Sequence, residues 1–159
     1  MTEDGTTSPT SPTSPDGGTP RHVVVGVDGS DESTGALRWA LAEARLTPSQ
    51  VVAVAAWHWP ASAVGIIPLT DVDLAAGARD AAQTAVDSVV QEGDAPVEVR
   101  VREGLPAPVL LEAARSADLL VVGSRGHGAF SGLLLGSVSQ HCVSHATCPV
   151  VVVRSSAPA

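Results

Sequence analysis

Five glycines, Gly123, Gly126, Gly128, Gly132 and Gly136, fall within the stretch GSRGHGAFSGLLLGS at residues 123–137. Glycine lets a ligand come close to the main chain. A loop so built can turn several backbone N–H groups toward one anion. The segment that follows has helical spacing, and the positive end of a helix would add to that attraction. Arg125 offers a fixed positive charge nearby, and the Ser137 hydroxyl stands where it could join phosphate oxygens or a bound metal. The chemistry expected here is the binding of a phosphate group. A second turn, GVDGS at 26–30, carries Asp28, whose carboxylate can accept hydrogen bonds from sugar hydroxyls or close an Asx turn.

Several commoner arrangements are excluded. All nine Lys/Arg positions are arginine, so the lysine of a P-loop is missing. The dinucleotide fingerprint fails because the third glycine would fall at Ser131, and the first turn has only Gly26 and Gly29. The nucleophile elbow G-x-S-x-G does not occur. Residues 141–148, HCVSHATC, hold His141, Cys142, His145 and Cys148 at spacings zinc can use. Helical periodicity turns Val138, Cys142 and His145 toward one face, however, where cysteine serves as a small apolar residue. No metal ligated by the protein alone is expected. His127 lies in the glycine loop without a carboxylate partner in sequence, as a phosphate contact or a solvent-facing residue. Trp57 and Trp59, flanking His58, either wall a base-binding site or simply pack.

The elements that must position these turns alternate. Strands are expected at 22–27 (HVVVGV), 51–57 (VVAVAAW), 97–102 (VEVRVR), 118–122 (DLLVV) and 149–154 (PVVVVR). Helices are expected at 31–46, with Leu37, Ala40, Leu41 and Ala44 on one stripe and Ser30 or Asp31 as N-cap. Three more fit 71–92, with Asp71 as its cap, 106–116, opening on Pro106, and about 132–145. Residues 58–70 read as a loop. A β-α-β-α-β-α-β-α-β chain implies an α/β fold, a parallel sheet with helices on both faces. Only the third strand alternates apolar and charged residues, as an edge can. In the order 3-2-1-4-5 the four valines of the fifth strand form the other edge, and a bare apolar edge invites a second copy of the chain. Ligands of such sheets sit beyond the carboxyl ends of the strands where the connections change direction. Here that is between the first and fourth strands, where the two turns meet.

The 159 residues suggest one domain at about 21–155. Residues 1–20, MTEDGTTSPTSPTSPDGGTP, have four prolines and only Met1 as an apolar side chain, and are expected to be a disordered tail. They lack the basic start and apolar run of a signal peptide. Residues 156–159 form a short C-terminal tail. The formal net charge of −8 gives no general attraction for nucleic acid or anionic lipid. No apolar run approaches the roughly 20 residues of a membrane span. Two cysteines build no disulfide framework, and the cytoplasm is the expected location.

The spacing Gly123-x2-Gly126-x9-Gly136-Ser137 resembles the ATP-binding signature of the universal stress proteins. VVVGVDGS (23–30), the helix bearing Leu37, Trp39 and Ala40, and HATCPVVVVR (145–154) are similar to that family too, so the resemblance spans about 21–154. It implies a Rossmann-like five-stranded parallel sheet of order 3-2-1-4-5. It implies ATP, with Mg, held by Asp28 at the ribose, the backbone near Ala56 at adenine, and Gly123, Gly126, Gly136, Ser137 and the Val138 amide at the phosphates. Gly26 and Arg125 complete the expected set. It further implies a homodimer through the fifth-strand edge, residues 149–154, and a regulatory role in stress or dormancy with little or no ATP turnover. The Pro-rich tail departs from the family pattern. Two other functions compete. One is an interaction module that binds no nucleotide. The other is a nucleotidyl-transferring enzyme of related fold; such enzymes carry a His-x-Gly-His element after the first strand, where this chain reads VDGS.

Overall fold

The computed structural model describes residues 21–59, 73–127 and 134–154. The expected tails, most of the 58–70 loop, Asp71, Gly128 and Gly132 lie outside them. Five strands alternate with four helices: β1 (Arg21–Gly26), α1 (Asp31–Leu46), β2 (Ser49–Trp57), α2 (Leu74–Val89), β3 (Glu98–Glu103), α3 (Pro106–Ala114), β4 (Leu119–Gly123), α4 (Ser137–His145) and β5 (Val150–Val153). All pairings are parallel and the order is β3-β2-β1-β4-β5, as the family resemblance implied and with β1, β2 and β4 central as their patterning implied.

Parallel strands must be covered on both faces, and the valine runs supply an apolar side chain to each. On one face Val23, Val25, Val51, Ala53, Ala55 and Val121 meet α1 and α2. On the other, Val24, Val52, Val54, Leu120 and Val122 meet Leu110 of α3 and Cys142 of α4. The α1 stripe inserts Leu37, Ala40 and Leu41 into the first of these cores. Leu37 is fully buried, so Leu37→Ala should destabilise the domain by about 2–5 kcal/mol through lost contacts and a residual cavity. A urea unfolding curve would show this as a lower midpoint with unchanged slope.

Three helix boundaries differ from expectation. α2 is capped by Asp73, whose side chain accepts from the Ala76 N–H, and it ends at Val89, where Val90 turns extended. α3 stops at Ala114. α4 starts at Ser137 rather than near 132, because Gly136 is extended (φ −75°, ψ 166°) and its N–H donates to the Ser124 carbonyl at 2.7 Å. That tie fixes the start of α4 against the exit of β4.

At the far edge β5 pairs with β4, and its four valines are half-buried. Among the described residues no helix is long and apolar enough to cross a membrane.

Candidate functional site

A cavity of about 500 Å³ opens beyond the carboxyl ends of β1 and β4, within the size range of small-molecule sites. Every residue expected at the site lines it: Gly26, Asp28, Ala56, Gly123, Arg125, Gly126, Gly136, Ser137 and Val138. The two turns singled out by their chemistry are thus brought together at the switch in strand order.

The first turn is built around Asp28. Its Oδ1 accepts from the Ser30 N–H at 3.0 Å and from Ser30 Oγ at 2.5 Å, which makes the Asx turn. Ser30 in turn caps α1, its Oγ accepting from the Ser33 N–H at 3.2 Å. Asp28 Oδ2 accepts from the His127 N–H at 3.2 Å, stitching the two turns together. Burial pushes the Asp28 carboxyl up, but the bonds from Ser30 and the His127 amide outweigh it and hold it below its ordinary value. The carboxylate is therefore ionised at neutral pH, and Oδ2 keeps acceptor capacity for a ligand hydroxyl.

The second turn leaves β4 at Gly123 and meets the start of α4. A Cβ on Gly126 would lie 2.5 Å from Asp28 Oδ2, so only glycine lets the two turns close on each other. Gly136 differs. A Cβ there would sit 3.4 Å from the Arg125 Cα and 3.5 Å from the Ser124 carbonyl oxygen, ordinary contact distances, and its φ suits any residue. Nothing in the protein's own packing demands glycine at 136. The first turn of α4 has no side-chain cap, and Gly136, Ser137, Val138 and Ser139 line the cavity. A helix N-terminus so placed favours an anion.

Arg125 is held differently from its expected role as an open charge. Its Nε and Nη2 donate to Glu32 Oε1 at 2.9 and 2.8 Å, so the guanidinium is paired while still lining the cavity. Glu32, in the first turn of α1, reaches across to this turn.

The sequence reading missed the apolar side. Val54, Pro106, Leu110 and Val122 line the cavity with Val27 and Val138, giving a surface on which a flat base can lie. Val54 was legible, two residues before Ala56 on the same face of β2, and Val122 precedes Gly123. Trp57 and Trp59 are not among the lining residues; they meet edge to face, 6.4 Å between centroids. His127 lines the cavity and contributes its amide to Asp28.

The chain matches the model of the universal stress protein family over residues 19–154. A universal stress protein of Mycobacterium tuberculosis is 38% identical over 143 residues, covering 86% of this chain and 47% of that one. The chain belongs to the universal stress protein family. It spans about half the length of the mycobacterial relatives it matches. A universal stress protein of Thermus aquaticus, 33% identical over 134 residues, is covered to 97% of its length and this chain to 83%. The solved universal stress protein from Lactobacillus plantarum shares the fold, with a TM-score of 0.72 at 23% identity over 84% of this chain and 97% of that one. A universal stress protein solved in complex with cAMP is 32% identical, with a TM-score of 0.57 over 86% of this chain and 98% of that one. One from Archaeoglobus fulgidus, solved with dAMP, is 25% identical, with a TM-score of 0.59 over 84% and 97%.

The cysteine-histidine segment does not bring three of its side chains to one point. Cys142 is fully buried under the sheet, and burial pushes its thiol up to about 11. His141 and His145 stack on the exposed face of α4, 4.3 Å between centroids. Among the described residues no three His, Cys, Asp or Glu side chains cluster. A thiol reagent at neutral pH should label half-buried Cys148 before Cys142, read by peptide mapping in a mass spectrometer. Equal labelling rates would mean that α4 opens far more readily than its packing implies.

Proposed function

We propose that this universal stress protein binds ATP in the cavity between β1 and β4 and acts as a regulatory, non-catalytic module in stress response or dormancy. The observation that carries the reading is the uncapped start of α4, which lines the same cavity as the Gly123–Gly126 turn and Asp28. Phosphates meet the backbone of Gly123, Gly126, Gly136, Ser137 and Val138; Asp28 takes the ribose hydroxyls. Adenine rests against Val54, Leu110 and Val122, and the main chain at Ala56 and Gly26 reads its edge. Arg125 lies beside the phosphates with its charge shared with Glu32. The donor set also fits Mg carried in with ATP, the Ser137 hydroxyl being the protein oxygen nearest that role. The adenine nucleotides in the cAMP and dAMP complexes of related proteins support the ligand class. The half-buried valine edge of β5, within residues 149–154, supports a homodimer, and the protein is assigned to the cytoplasm.

The test is direct. Protein purified without added nucleotide, then denatured and filtered, should release an adenine nucleotide identifiable by chromatography, or should take up ATP from solution when it emerges empty. An empty protein that also ignores millimolar Mg-ATP is a non-nucleotide interaction module. Steady conversion of ATP with transfer of its nucleotidyl group to an acceptor would mark the enzyme instead.

A further inference from the structure

Glu32 is a buried acid on the second residue of α1, 9% exposed, in a domain whose other carboxylates are mostly at the surface. Its two oxygens accept from three groups of the phosphate-side turn. Oε2 takes the Ser124 hydroxyl at 2.7 Å and the Arg125 N–H at 2.6 Å. Oε1 takes the Arg125 guanidinium at 2.8–2.9 Å. The Ser124 carbonyl then accepts from the Gly136 N–H at 2.7 Å and from Ser139 Oγ at 2.8 Å. One continuous chain of hydrogen bonds runs from α1, through the exit of β4, to the first turn of α4. Gly123 belongs to it sterically. A Cβ there would lie 3.0 Å from the Glu32 carbonyl carbon and 3.1 Å from Glu32 Cβ, so glycine at 123 is what lets α1 approach closely.

We infer that Glu32 is a positioning residue for the phosphate site: it touches no ligand, but its carboxylate sets the spacing between the Gly123–Gly126 turn and the N-terminus of α4. The inference rests on the nucleotide reading of that cavity. It has an unusual sign. A negative charge beside a polyphosphate repels it, so by charge alone removing Glu32 should tighten ATP binding, the more so because Arg125 would be released. Positioning demands the opposite. Without the carboxylate, Ser124 and the Arg125 amide lose their shared acceptor and the turn loosens. Burial pushes the Glu32 carboxyl up, yet its bonds to Ser124 and Arg125 hold it below its ordinary value, so the clamp is closed at neutral pH.

Glu32→Gln and Glu32→Asp separate the two accounts, with ATP and AMP titrated into the full chain by calorimetry and wild type run in parallel. Both variants should bind ATP at least ~10-fold more weakly, with a much smaller loss for AMP, so that the ATP-to-AMP affinity ratio falls. Glu32→Asp keeps the charge but is one carbon too short to hold both partners. Tighter ATP binding by Glu32→Gln with wild-type behaviour of Glu32→Asp would overturn the inference, as would equal losses for ATP and AMP. Amide hydrogen exchange on the nucleotide-free protein gives a readout independent of the ligand. Exchange should accelerate at Arg125 and around Gly136 in both variants, while β1 and β2 stay protected. Unchanged exchange at those amides would refute the clamp whatever the ligand proves to be. Failure of the wild type to bind any nucleotide would instead count against the proposed function, leaving the exchange result to stand.

Discussion

Gly136→Val should abolish ATP binding while leaving the domain folded. The two halves of that expectation come from different observations. The backbone at 136 is extended, which valine adopts readily, and a Cβ there makes only ordinary contacts with Arg125 and Ser124. The cost to the fold is the loss of glycine as N-cap, about 1 kcal/mol, or a fall of roughly 3–6 °C in Tm for a domain of this size. The branched side chain, however, projects at the uncapped turn of α4, in the space assigned to phosphate. Two γ carbons there displace the anion from the N–H groups of Ser137 and Val138, for which no other part of the nucleotide compensates. The loss should grow with the number of phosphates, largest for ATP and smallest for AMP, and should be graded from alanine to valine. Calorimetric titration together with a thermal melt checks both halves. A variant that still binds ATP as tightly as wild type would put the phosphates elsewhere.

Asp28→Ala should weaken all adenine nucleotides by a similar factor, on the order of 10–100-fold, which is the range expected for hydrogen bonds to a charged acceptor. The ribose is common to ATP, ADP and AMP, so this pattern is flat where that of Gly136→Val is steep. Wild type should also prefer ATP to 2′-deoxy-ATP, and Asp28→Ala should erase part of that preference, the signature of a carboxylate that reads a sugar hydroxyl. The substitution removes the Asx turn and the anchor for the His127 amide as well. A preference for ATP over its deoxy form that survives intact would move the ribose away from Asp28. The pH dependence has a definite sign. Because the folded carboxyl titrates below its ordinary value, its contribution is complete above that value and is lost as pH falls through the lower, folded one. Binding should therefore hold across neutral and mildly acidic pH, then fail on strong acidification.

Much of this site was legible in the sequence, for physical reasons that particular residues make plain. The valine runs of β1, β2 and β4 carry apolar side chains to both faces, so a parallel sheet with these strands at its centre could be read from local pattern, while the full order came with the family resemblance. The limits of α1 were marked in the chain itself, by Ser30 and Asp31 as cap candidates, of which Ser30 is the cap, and by Pro48 just past its end. Gly126 and Asp28 stood out as turn residues before their carboxylate-to-backbone fit was visible. What stayed hidden depends on distant partners. The start of α4 is set by a hydrogen bond from Gly136 to Ser124, which periodicity cannot report. Glu32 had the ordinary look of an acid in the first turn of a helix; its true partners lie 92 and 93 residues on, at Ser124 and Arg125. That pairing also changes the character of the site. The arginine expected as an open charge is paired with Glu32, so in the proposed reading the attraction for phosphate rests mainly on main-chain N–H groups. The apolar floor escaped notice for a simpler reason: Val54, Leu110 and Val122 are core residues as well as lining residues, and one pattern serves both.

The central claim is that the cavity between β1 and β4 holds ATP. Titration of ATP into nucleotide-stripped protein, with heat measured at each addition in the presence of Mg, tests it most directly. The account predicts saturable binding at one site per chain well below ~1 mM, lost in Gly136→Val at an unchanged fold. No heat of binding up to millimolar ATP, from protein that melts cooperatively, would contradict it.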